Sequence, residues 1–179
     1  WERSYTQGLE LLGFNYDDDK KGWFYREWAP AAQSLSLIGD FNAWDRSSHK
    51  LKKDKYGIWE IFIPDMKDGS VLKHEQLVKV HVTSSKGSQD RIPAYIKRVV
   101  QDEETHAFAG QIWKPKKEFK WSGESFVPAK TPFIYEAHIG MSQEKEGVGS
   151  YSEFTKNTLP RIKKLGYNTI QLMAIMEHP

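Results

Sequence analysis

The chain contains no cysteine. That excludes a disulfide framework and any thiolate metal site, and it fits a reducing compartment, so the expected address is cytoplasmic. Long apolar runs are also missing. None approaches the ~20 residues that cross a bilayer as a helix, and no basic-apolar-small targeting pattern is present, so no membrane partner is expected. Net charge is nearly absent: 26 Lys and Arg against 24 Asp and Glu leave +2 over 179 residues, too little to imply a polyanion. The histidines at 49, 74, 81, 106, 138 and 178 lack the i, i+4 or triplet spacing of a zinc site. Gly147 to Ser150, GVGS, lacks the Gly-Lys-Ser/Thr ending of a phosphate loop, and there is no Gly-x-Ser-x-Gly nucleophile elbow. No metal and no cofactor are expected.

Aromatic residues are abundant instead, at 13% with seven Trp. They concentrate between Trp23 and Trp44, WFYREWAPAAQSLSLIGDFNAW, where two strand candidates flank a Trp-Ala-Pro turn and a Gly-Asp-Phe-Asn-Ala-Trp turn. On strands only alternate side chains face a core, so some of these rings need another reason to be present. A flat ring beside an amide or carboxylate suits a ligand with an apolar face and a hydroxylated rim, such as a sugar. Closure of a small sandwich by the same rings is the alternative, and both readings stay open at this point.

From Trp23 onward the hydrophobic period is two. Leu35 and Leu37 alternate with serines, Trp59, Ile61 and Ile63 with Glu60 and Phe62, and Val78, Val80 and Val82 with Lys79 and His81. Turn-forming stretches separate them, which predicts an antiparallel β-sandwich. Residues 1–22 read as an N-terminal segment holding a short helix that stops at Gly13 and a polar turn from Asn15 to Gly22. Residues 23–113 read as the sandwich and 114–132 as a linker. Four lysines interleaved with Trp113, Phe119 and Trp121 in that linker resemble a nucleic-acid surface, but Glu118 and Glu124 inside the run argue for no nucleic acid. Past Thr131 the pattern changes. Phe133 to Ile139 predicts a strand, Ser150 with Glu153 a capping box, Pro160 to Leu165 a helix stopped at Gly166 with Tyr167 folding back on Ile162, and Asn168 to Met176 a second strand. Such a βαβ unit has parallel strands. Glu136 and Glu177 lie near the ends of those strands, where an acid and a base for sugar chemistry would sit, although Glu177 could equally hold a loop by ion pairing.

Five blocks, REWAPAAQSLSLIGDFNAW, QDRIPAYIKRVVQD, FAGQIWKP, IYEAHIGMS and LPRIKKLGYNTIQLMAIMEHP, together closely resemble the amino-terminal part of eukaryotic-type 1,4-alpha-glucan (glycogen or starch) branching enzymes. The resemblance implies a mainly β fold: an immunoglobulin-like family 48 carbohydrate-binding sandwich, then one βαβ unit of an incomplete (β/α)8 barrel of glycoside hydrolase family 13. Such enzymes cleave an α-1,4 link, hold the chain on a carboxylate and pass it to a 6-hydroxyl. The family's catalytic Asp and Glu residues come from later strands, so these residues alone are expected to be inert, with Glu177 and His178 bordering the active site. The resemblance also implies α-1,4-glucan binding where the module meets the barrel, with Trp28 as stacking platform, Pro30 as its wall, Tyr56 and the Gly57 backbone facing it, and Trp44 as a second platform. The alternatives are another family 13 hydrolase or debranching relative, and a scaffold module that binds nothing. Exposed apolar barrel strands are expected to promote self-association.

Overall fold

The computed structural model describes residues 8–117, 119–120, 127–173 and 175, which fall into two compact units, Trp1–Phe119 and Lys120–Pro179. In the first unit the period-two segments form two antiparallel sheets. One has the order β1 (Gly13–Asp17), β2 (Gly22–Trp28), β5 (Ile58–Pro64), β4 (Lys52–Lys53). The other has the order β3 (Ser34–Gly39), β6 (Leu77–Ser84), β9 (Phe108–Gln111), β8 (Val99–Gln101), with β7 (Gly87–Arg91) also paired to β6. Trp23, Tyr25, Trp59 and Ile63 of the first sheet pack in one cluster with Leu35, Leu37, Val78 and Val80 of the second. Burying such side chains at about 1.5–3 kcal/mol each is what holds two sheets face to face. Segment 49–51 lies along β3, where the Leu37 N–H donates to His49 O (2.9 Å) and the Leu51 N–H to Leu35 O (2.9 Å).

One polar side chain sits among these. Glu27 is at an inward position of β2, only 9% exposed, and its Oε2 accepts from the Tyr25 hydroxyl (2.7 Å) and the Ala94 N–H (3.0 Å). Burial, then the Glu27 charge, push the Tyr25 hydroxyl pKa well above the ordinary tyrosine value, so it remains a donor. A carboxylate inside the sandwich is tolerated because both donors reach it.

The polar turn expected from Asn15 to Gly22 is shorter than that. Gly13–Asp17 forms β1, paired with β2 from Gly13 opposite Arg26 to Asp17 opposite Gly22. As the outermost strand of its sheet, β1 accepts Asn and Asp that a central strand would not. Helix α1 (Gly8–Leu11) precedes it and ends near Gly13, which has φ +79°.

The second unit pairs β10 (Ile134–His138) with β11 (Thr169–Met173) in parallel, Ile134 opposite Thr169. Between them the capping box is made: Ser150 Oγ accepts from the Glu153 N–H (3.2 Å), and Glu153 Oε2 accepts from the Ser150 N–H (3.1 Å) and hydroxyl (2.8 Å). Those Ser150 bonds hold the Glu153 carboxyl below its usual range. The helix runs through α2 (Tyr151–Glu153), a wide π-type turn over Phe154–Thr158, and α3 (Leu159–Lys164). Pro160 has no N–H for the Lys156 carbonyl, and the helix relaxes into five-residue spacing just before it, with the Leu159 N–H bonded to Phe154 O. Gly166 supplies the left-handed stop at φ +94°. The Tyr167 ring meets Tyr135 edge-on at 5.1 Å. Among the described residues no helix is long and apolar enough to cross a membrane.

Candidate functional site

Trp23, Tyr25 and Glu27 point inward along β2, so the period of two turns Trp28 outward, where it is 55% exposed. Trp28 stands opposite Ile58 of β5, which places the turn between β4 and β5 beside it. Asp54 builds that turn: its Oδ1 accepts from the Tyr56 N–H (2.8 Å) and the Ile58 N–H (2.9 Å). Gly57 completes it at φ +84°, a conformation that a side chain disfavours. Any Cβ there would lie 2.8 Å from Pro30 Cα and Cβ, so the Gly57 backbone rests against the proline.

Hydrogen bonds join the two turns. The Ala29 N–H donates to Gly57 O (3.0 Å), Trp28 Nε1 to Tyr56 O (3.3 Å), and Lys53 Nζ to Pro30 O (2.6 Å) and Ala32 O (3.4 Å). From below, Trp59 Nε1 donates to Ala29 O (2.9 Å). Trp28, Pro30, Tyr56 and Gly57 are thus brought together, with the Tyr56 ring also 55% exposed. Two open rings on turns fixed by backbone bonds make a preorganised apolar surface rimmed by peptide groups and by Lys55, whose ammonium lies 5.0 Å from the Tyr56 ring centre. Sequence reasoning missed Lys53 and Asp54. The Asp-x-x-Gly spacing at Asp54 to Gly57 is the signal that could have found the second.

Trp44 is elsewhere. It follows the turn at the far end of β3, roughly 17 Å along the strand from the Trp28 end. Asn42 knots that turn: Oδ1 accepts from the Gly39 N–H (3.0 Å), and Nδ2 donates to Leu37 O (3.1 Å) and Asp45 O (3.2 Å). Trp44 itself is half-buried, and its Nε1 donates to Asp40 Oδ1 (3.2 Å) while Asp40 Oδ2 accepts from the Leu77 N–H (2.7 Å). Bonds from Ser47 lower the Asp45 pKa, and burial lowers that of His49. In the second unit Glu136 is exposed on β10, opposite Gln171. Glu177 and His178, expected at the active-site border, lie outside the described residues. Among the described residues no cluster of His, Asp and Glu could hold a metal.

Residues 11–96 match the family described as carbohydrate-binding module 48 (isoamylase N-terminal domain). The chain is 45% identical to the 1,4-alpha-glucan-branching enzyme of Dictyostelium discoideum, over 97% of its own length and 26% of that protein. It is 46% identical to that of Rhizophagus irregularis, with the same coverage, and 43% identical to an Arabidopsis thaliana enzyme named chloroplastic/amyloplastic, over 98% of the chain and 22% of that protein. The chain therefore spans about a quarter of the length of these curated relatives. Among solved structures it resembles a pullulanase from Anoxybacillus sp. LM18-11 complexed with maltotetraose, with TM-score 0.70, 20% identity, and 94% of this chain and 26% of that one covered. A Group B Streptococcus pullulanase gives TM-score 0.69 and 18% identity, over 93% of this chain and 24% of that one. At such identities these likenesses concern the fold alone. Residues 11–96 thus resemble a family 48 carbohydrate-binding module, in a chain that is similar over nearly all its length to part of the 1,4-alpha-glucan-branching enzymes.

Proposed function

We propose that this chain is the glucan-holding part of a 1,4-alpha-glucan branching enzyme, binding α-1,4-glucan on Trp28 and Tyr56. The observation that carries this reading is the solvent-open pair of rings, braced by Pro30 and Gly57, inside a segment that matches a carbohydrate-binding family. A glucosyl ring offers its C–H face to the indole, and its hydroxyls reach the peptide groups of the two turns. One or two stacked sugars contribute a few kcal/mol, so short oligosaccharides should bind near the millimolar range, about −4 kcal/mol. Trp44 serves as a lesser platform whose indole N–H is already engaged. A branching role is favoured over a debranching one by the 45% identity to the former against 20% to the pullulanase. The parallel strands of the second unit begin a family 13 barrel, and a cytoplasmic address, which cell fractionation checks, belongs to the same proposal.

Affinity electrophoresis in glycogen tests the reading. The wild-type chain should be retarded, Trp28→Ala should migrate as in a glycogen-free gel, and Trp44→Ala should keep most of the retardation. No retardation of any of them would mean a scaffold that binds nothing. Binding is proposed to occur without remodelling. Of the carboxylates beside the platform rings, Glu27 is buried and accepts from Tyr25 and Ala94, and Asp54 is occupied by backbone N–H groups, whereas glycosidic cleavage needs a pair of carboxyl groups flanking the bond. The amylose–iodine spectrum should stay unchanged on incubation with the chain; a fall in absorbance would overturn this part.

Self-association is proposed as well, because Phe133, Ile134, Met173 and Ile175 are each about half exposed or more along the parallel pair. Sedimentation velocity should show species larger than a monomer at micromolar concentration, and Ile134→Lys should reduce them. A single monomeric boundary at all concentrations would remove the idea.

A further inference from the structure

At the opposite end of β2 from Trp28, the first unit holds a second concavity, a cavity of about 290 Å³. Its floor is apolar, with Trp23 and Ile112 buried, and its walls include Tyr95 and Trp113, 36% and 39% exposed. Its rim carries Lys97 and Lys114 and, among the described residues, no carboxylate. The Lys114 ammonium is held 3.2 Å from the centre of the Tyr16 ring and 5.1 Å from that of Trp23. Among the described residues it has no carboxylate or carbonyl to donate to, so its N–H groups remain available at the cavity mouth. The Trp113 wall is braced from behind. Arg98 lies 4.4 Å from its ring, His74 meets it edge-on at 4.6 Å, and the Lys114 N–H donates to His74 Nδ1 (3.3 Å). Tyr16 is fixed too, its hydroxyl donating to Asp65 Oδ2 (2.6 Å), and that bond is the main reason its pKa is pushed up to about 12.

We propose that this cavity is a second saccharide site, taking one or two glucosyl rings of an α-glucan. An apolar floor between aromatic walls fits the C–H face of a pyranose, and positioned ammonium donors fit its hydroxyl oxygens. The volume lies at the small end for ligand cavities, which suits one or two rings and not a long segment. The identity of the sugar rests on the function proposed above; the existence of the cavity does not. Trp23 and Trp28 are five residues apart on β2 and face opposite sides of the sheet, so the two sites are separate and each takes its own sugars.

The indole N–H signals of the tryptophans make the test direct. In a ¹H–¹⁵N titration of the chain with maltotriose, Trp113 Nε1–H should shift, and it should shift with the same midpoint in Trp28→Ala. Trp113→Ala should weaken the response of Trp23 Nε1–H by about ten-fold or more in apparent Kd. Should Trp113→Ala lower the melting temperature, Lys114→Met leaves the wall in place and should still weaken the midpoint several-fold. A response of Trp28 alone overturns the second site and leaves the first reading standing. A response of Trp113 without Trp28 does the reverse. Displacement of the sugar by inorganic phosphate, with phosphate alone moving Trp113, would make the cavity an anion site and overturn the assignment. Silence at both indoles overturns both.

Discussion

Gly57→Ala should cost about 3 kcal/mol of stability and more than ten-fold in glucan affinity. Two effects combine at this position. The backbone sits at φ +84°, where a Cβ costs about 1–2 kcal/mol, and that Cβ would also press on Pro30 Cα and Cβ at 2.8 Å. The ring of Pro30 cannot swing aside as a flexible side chain can, and Lys53 pins its carbonyl. The turn must therefore open, and with it go the Ala29 N–H bond to Gly57 O and the spacing between Trp28 and Tyr56. Gly87 supplies the control. It has φ +111° and open space within 4 Å of where a methyl group would stand, so Gly87→Ala should lose only the conformational part, about 1–2 kcal/mol, and leave binding alone. Chemical denaturation and glycogen affinity electrophoresis on the two variants separate strain from collision. Equal losses in both would show that Pro30 does not wedge the turn.

Glu27→Ala is expected to be the more damaging change for the fold, by about 3 kcal/mol, although it touches no glucan-facing residue. Removing the carboxylate leaves the buried Tyr25 hydroxyl and the Ala94 N–H without their acceptor. Each orphaned donor costs about 1–3 kcal/mol. Tyr25→Phe removes one donor together with its need, so it should cost only about 1 kcal/mol. Introduced on top of Glu27→Ala, it should recover part of the loss. A double-mutant cycle by urea denaturation measures this coupling; additive losses would mean that the two groups do not share one bond. The sign with pH follows from the raised tyrosine pKa. The stabilisation is complete below the unfolded value of about 10 and declines as pH rises above it, so alkaline unfolding should be shallower in Tyr25→Phe.

Sheet formation was legible where burial is one-sided. Leu35 and Leu37 against Ser34 and Ser36, and Val78, Val80 and Val82 against Lys79 and His81, show the alternation plainly, and the capping box and glycine stop of the second unit follow from side-chain chemistry that acts over three or four residues. β1 was not legible, because a strand paired on one side only carries Asn15, Tyr16 and Asp17 with the composition of a turn. The candidate site was legible only through family resemblance. Trp28 and Tyr56 are 28 residues apart, and nothing local in either stretch announces that β2 and β5 pair with Trp28 opposite Ile58. Trp28 and Trp44 look alike in the sequence, each beside a turn, and only the sheet connectivity puts them at opposite ends. Lys53 stayed hidden in a run of lysines, since its bond to Pro30 O depends on a turn far back in the chain.

The register of β2 against β5 also sets how this platform can vary. Trp28 faces outward because Glu27 faces inward, and every side chain of the strand inherits that parity. One inserted residue between Trp23 and Trp28 would send the indole into the core and a carboxylate into water, whereas two would lengthen the strand and keep the aim. Relatives that differ in length within this strand should therefore differ by even numbers, or else carry a bulge that absorbs the odd residue.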